Sequence, residues 1–254
     1  METSLHRQLK EQYAGARGRT EVTLGDYRVD VVRGKRLIEI QHGPLGVIRR
    51  KIAALLEEHS VTIVKPIVAR KWLIKLTKKN GTVADVRRSP YRGSMLDVFE
   101  DLLHFMQVYP HRRLRLEVPF IDIEEYRYPR PKRRRRWSAP SHSVLDQRLI
   151  RVRETLTLET AGDLWAMIDA DLPEPFHTRN LADALDIDRW KARRIAYCLF
   201  HAGAAERVGK RGNAYLYTRC ALPRPRTRRR AEAVRAALEW PLPDVESISG
   251  RAAG

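Results

Sequence analysis

Cysteine is nearly absent: Cys198 and Cys220 are the two in 254 residues. Two thiols build no disulfide framework, and this pair fits no metal-ligand spacing. A crosslinked secreted scaffold and a cysteine-held zinc site are both excluded. Long apolar runs are missing as well. No stretch approaches the roughly 20 residues that cross a bilayer, and the N-terminal residues Met1 to Arg7 carry no apolar core of a secretion signal. The expectation is a soluble cytoplasmic protein with no membrane partner. Internal repeats are absent too. Acid is scarce: Asp+Glu number 31 against Lys+Arg 49, a formal charge of +18. Most of the excess is Arg, whose guanidinium grips phosphate bidentately. That balance points to a polyanionic partner; a basic surface with no such partner is the rival reading. The hydrophobic content of 43% is enough for packed cores, and the length suits two domains or one large one.

The stretch from Asp26 to Gln41 organises the first half of the chain. It reads as two short strands joined by a turn at Arg33-Gly34-Lys35. Alternation assigns the faces. Tyr27, Val29 and Val31 share one, and Arg28, Asp30 and Val32 the other. In the second strand Leu37, Glu39 and Gln41 oppose Ile38 and Ile40. An acid inside each apolar strand is costly unless a cation or a hydrogen bond meets it. A hard divalent cation is a natural shared partner for two such acids.

The surrounding pattern predicts a helix over Glu2 to Ala14 and a strand over Thr20 to Leu24. After the two strands come a helix from about Pro44 to His59 and a buried strand over Val61 to Val68. Lys71 to Arg87 reads as a hairpin turned at Asn80-Gly81. Ser94 caps a helix over Met95 to Tyr109, and Leu114 to Tyr126 is a further strand, with Pro119 suggesting an edge or a bulge.

Asp30 followed by Glu39-Ile40-Gln41 resembles the core of the PD-(D/E)XK nuclease superfamily, in the variant where Gln replaces the last Lys. That variant is similar to the nuclease-like domain of competence-type proteins. The resemblance covers roughly the first half of the chain and implies an α/β fold with an αβββαβ restriction-endonuclease-like core. It implies a Mg²⁺ or Mn²⁺ ion held by Asp30, Glu39 and the carbonyl of Ile40, with Gln41 positioning the water. Gln carries no charge and cannot stabilise hydroxide as a lysine does. Lys51 on the following helix is the candidate displaced cation; a surface lysine is its rival reading. Glu2 is the candidate acid from the first helix, against a merely favourable acid near a helix N-terminus. His42 beside the site reads as structural.

The run Arg133, Arg134, Arg135, Arg136 lies in a proline-rich basic linker, read as a strap along phosphates or as a solvated charge run. Beyond it, Val144 to Leu156 and Ala161 to Ile168 read as helical. Thr178 caps a helix ending near Leu185, and Arg189 to His201 forms the next. Two strands then flank the tip Gly209 to Asn213. About residues 160 to 220 resemble a winged helix-turn-helix. That resemblance implies Arg189, Lys191, Arg193 and Arg194 at a DNA major groove and Lys210 and Arg211 at phosphate or the minor groove; a protein-contact or purely structural module is the rival reading. The expected units are 1–128 nuclease-like, 129–143 linker, 144–222 winged helix and 223–254 basic tail. The implied function is metal-dependent DNA endonuclease, with an inactive nuclease-fold DNA-binding or regulatory protein as the alternative. DNA is the expected partner, and a homodimer is compatible.

Overall fold

The computed structural model describes residues 2–130, 141–168 and 170–221. Arg133, Arg134, Arg135 and Arg136, and the tail from 222 on, lie outside the described residues. The chain opens with α1 (Ser4–Ala14), capped by the Thr3 side chain and closed at Gly15, φ 53°. Strands β1 (Arg19–Leu24), β2 (Tyr27–Arg33) and β3 (Arg36–Ile40) form an antiparallel meander. Its two turns place Gly25 and Gly34 at positive φ, a conformation that side chains resist. Helix α2 (Leu45–Glu58) then crosses over to β4 (Ser60–Val64), which runs parallel to β3.

Lys65 and Pro66 interrupt the expected strand Val61 to Val68. The chain resumes as β5 (Ile67–Leu76) and returns as β6 (Val83–Arg88). Both β4 and β5 pair in parallel, one after the other, with the long β7 (Leu114–Pro129). Pro119 is not at an edge, because β7 is hydrogen-bonded on both flanks. The missing N–H falls opposite the break at Pro66, where no ladder bond is interrupted.

The helix expected over Met95 to Tyr109 is shorter. A 3-10 turn (Met95–Asp97), capped by Ser94, leads into α3 (Val98–Leu102), and turns follow. Those turns bury Phe105 and Tyr109, and the Tyr109 hydroxyl donates to the Thr160 carbonyl at 2.6 Å.

The helix expected over Val144 to Leu156 is a strand, β8 (His142–Leu158), antiparallel to β7. Its β-branched residues suit a pleat. Arg151 and Arg153, two apart, both clamp the buried Asp122 of β7 at 2.7 Å. The sheet therefore holds eight strands and claims the chain as far as Leu158. Residue 144, where a second unit is expected to begin, lies within β8, which is paired with β7.

Beyond β8 come a 3-10 turn (Ala161–Met167), α4 (Thr178–Leu185), α5 (Arg189–His201) and the hairpin β9 (Ala205–Arg211) with β10 (Ala214–Arg219). One core packs α1 residues Leu5 and Leu9 on Val31, Ile38 and Ile40. The other lies under α2 and α3 and runs without a break into Trp165, Phe176, Ile195 and Leu199. The architecture is mixed α/β, a large mixed sheet with several helices.

Candidate functional site

The site forms where β2 and β3 meet the N-terminal halves of α1 and α2. Alternation in β2 fails at Asp30. Val29 packs in the core beneath α2, whereas Val31 packs in the core beneath α1. The expectation that they share a face is corrected by this irregularity: Asp30 is missing from the ladder on both sides. Its carboxylate accepts the Ile40 N–H at 2.8 Å, in place of a strand carbonyl. Opposite it, Glu21 of β1 holds φ 56°, a conformation few non-glycine residues adopt.

Glu39 is 7% exposed. Its Oε1 lies 2.5 Å from Lys51 Nζ on α2, and Lys51 also donates to the Arg28 carbonyl at 2.6 Å. Oε2 is buried with no hydrogen-bond partner among the described residues. Burial holds the Glu39 carboxyl above the ordinary range; Lys51 opposes this and the Asp30 charge adds to it. For Asp30, burial also pushes upward. The hydrogen bonds from His6 and Ile40, with the charges of His6 and Lys51, outweigh it and hold the carboxyl low. The two acids thus feel one another and the same lysine.

His6 Nε2 stands 3.4 Å from Asp30 and 3.8 Å from Glu2. The bond to Asp30 raises the imidazole pKa against the opposing effect of burial. Glu2 also pairs with Lys10 at 2.5 Å, and Lys10 pairs with Glu21. Sequence reading passed over His6 and Lys10, although Glu2, His6 and Lys10 recur every four residues and so form one helix stripe. Half-buried His42 is pushed down to about 4 by burial and by the His6 and Lys65 charges. An open cleft of about 490 Å³ on the His6 side of the cluster is lined by Glu2, Thr3, His6, Glu21, Arg28, His42 and Gln147, and Asp30, Glu39 and Lys51 do not line it.

The structure brings together Asp30, Glu39, Lys51 and, through His6, Glu2. It does not bring Gln41 to them. The Gln41 side chain donates to the Pro44 carbonyl at 3.2 Å and closes the turn into α2. Lys65, also missed in the sequence, fastens that turn by bonding the His42 and Gly43 carbonyls and Asp101.

Residues 3–159 match the family described as Domain of unknown function (DUF8091). The chain belongs to this family. The matched span runs from the cap of α1 to just past β8, so the DUF8091 region includes the eight-stranded sheet and the cluster apart from Glu2. The chain is also 30% identical over 182 residues to an uncharacterized protein of Treponema pallidum (strain Nichols), covering 71% of each. No solved structure matches the chain.

Past the DUF8091 region, the expected DNA-facing residues divide. Arg189 and Arg193 of α5 and Lys210 and Arg211 of the hairpin are exposed. Lys191 is ion-paired with Asp97, and Arg194 with Glu100 at 3.4 Å, both across the contact with α3.

Proposed function

We propose that Asp30, Glu39 and Lys51 form the active site of a phosphodiester hydrolase acting on DNA. One observation carries the reading: Lys51 Nζ lies 2.5 Å from Glu39, beside Asp30 on the adjoining strand. It supports a PD-(D/E)XK-like centre whose lysine comes from α2, which accounts for Gln41 standing just past β3 in place of a lysine. The order α1-β1-β2-β3-α2-β4, an antiparallel meander with a parallel crossover, supports a restriction-endonuclease-like core. The order α4, α5, hairpin supports a winged-helix reading of the C-terminal part.

A hard divalent cation fits the donor set. Glu39 Oε2 is a buried oxygen in need of a partner, with the Asp30 carboxylate and the Ile40 carbonyl as further candidates. Among the described residues no group of three or more His, Cys, Asp or Glu is placed to hold a metal. Mg²⁺ characteristically needs only one or two carboxylates, completing its shell with water and phosphate oxygens. When bound, such an ion relieves charge on the phosphate and activates water. Lys51 sets a positive charge beside Glu39, where it can stabilise charge developing on the phosphate. His6 fixes the orientation of Asp30, and the exposed Arg28 guanidinium at the cleft is paired with Glu21 at 2.5 Å.

A second reading, a nuclease fold without catalysis, is favoured by the internal pairing of both acids, Asp30 with His6 and Glu39 with Lys51. Incubation of the purified protein with plasmid, linear and branched DNA, with and without Mg²⁺ or Mn²⁺, separates the two. The expected result is metal-dependent cleavage that Asp30→Ala and Glu39→Gln abolish while DNA binding persists. No cleavage by the wild type, or equal cleavage by the variants, rejects the active site.

A further inference from the structure

We propose that α5 and the β9–β10 hairpin present a stacking surface to an unpaired DNA strand, instead of inserting α5 into the major groove of a duplex. A helix with its side chains is about 10–12 Å across and fills a groove about 12 Å wide, so both of its flanks must be clear. One flank of α5 is not clear. Lys191, Arg194 and Cys198 face α3, and the Cys198 thiol lies 3.6 Å from the Phe99 carbonyl. That contact sets the carboxylates of Asp97 and Glu100 along this flank, which disfavours the approach of duplex phosphates there.

The outward face of α5, beside that contact, has a different chemistry. Of the seven large apolar side chains exposed among the described residues, Trp190, Tyr197, Val208 and Tyr215 belong to α5 and the hairpin. Trp190 and Tyr197 are seven apart, two turns along one helix face. Each ring is paired with a basic or imidazole group. The Arg194 guanidinium lies 4.6 Å from the Trp190 ring centre, and the His201 ring 4.0 Å from that of Tyr197. Arg207 sits 4.1 Å from both Phe200 and Tyr215, linking helix to hairpin, and Lys210 reaches Tyr215 at 4.8 Å. Tyr197, His201, Phe200, Arg207, Tyr215 and Lys210 form one linked series of rings and basic groups, and Trp190 with Arg194 forms a second pair two turns earlier, bordered by Asp188 and Glu100. Unpaired bases stack on such rings while the cations follow the phosphates. Exposed Arg189 and Arg193 extend the charge along the helix.

This surface rests on the DNA reading above but not on hydrolysis. The test is fluorescence anisotropy in EDTA with a labelled single strand of about 20 nucleotides, the same sequence as duplex, and an abasic strand of equal length. The wild type is expected to bind the single strand about tenfold or more tighter than either of the others, since stacking acts on each base. Trp190→Ala with Tyr197→Ala is expected to lose about tenfold on the single strand and to leave the abasic strand unchanged. Trp190→Phe keeps a ring and retains binding. Equal or tighter duplex binding, or a double variant that binds the single strand as the wild type does, overturns the proposal. Cleavage in Mg²⁺ without strand preference removes this surface alone, and strand preference without cleavage removes the hydrolase alone.

Discussion

Lys51 shows how one residue changes meaning when its surroundings are known. In sequence it is one of many basic residues, and a surface lysine is a fair reading. In the fold its side chain is 19% exposed and neutralises the carboxylate of buried Glu39. Removing one partner of such a pair leaves an unpaired buried charge, whereas replacing both with apolar groups of similar size is far milder. Lys51→Met is therefore expected to destabilise the fold by about 3 kcal/mol, and Glu39→Leu with Lys51→Met to recover most of that. Urea unfolding at pH 7 checks both. A small loss in the single variant would mean that water reaches Glu39. The acids themselves were legible, because Asp30 and Glu39 interrupt apolar strands. His6 was not, because its role depends on α1 lying across the sheet.

Among the elements, α1 and β8 depend on each other. Strand β8 pairs with β7 along one flank, and an unpaired strand edge invites association. Helix α1 lies over β8: Gln8 accepts the Leu149 N–H at 2.9 Å. In return Asp146 of β8 takes the Ser4 N–H at 2.8 Å and the Ser4 hydroxyl at 2.7 Å, capping the helix start. Burial pushes the Asp146 carboxyl upward, but the Ser4 bonds prevail and lower it from 3.8. A lowered carboxyl stabilises the fold above its unfolded value, and the gain is lost as pH falls through the folded value. Asp146→Asn is expected to cost about 1 kcal/mol at pH 7, as lost caps do. The difference from wild type should shrink as pH drops below 3.8; stability curves at pH 7 and pH 3 measure it. The meander, α2 and the C-terminal helix pair follow from local periodicity. Strand β8 was misread because its arginines and isolated leucines fit both a helix face and a pleat. The long free flank of β7 decides between them.

Over the whole molecule, the core beneath α2 and α3 continues into the C-terminal helices, so the two parts share one interior. Cys198 reports on that junction. It is fully buried between α5 and α3, and burial pushes its thiol up to about 12. In a Cys220→Ser background, alkylation of Cys198 is expected to stay blocked until the chain unfolds as a unit. Labelling should then follow the loss of helical circular dichroism at the same urea concentration. Labelling well before that point would show the C-terminal part opening on its own.

The sequence alone determined the basic character of the protein, the hairpin with its two interrupting acids, and most helices and turns. Each of these is set by composition or by a period of a few residues. Tertiary structure decided the placement of Lys51, His6 and Gln41, the identity of β8, and which arginines of α5 are already paired. Those depend on which distant surfaces meet, and local periodicity carries no information about that.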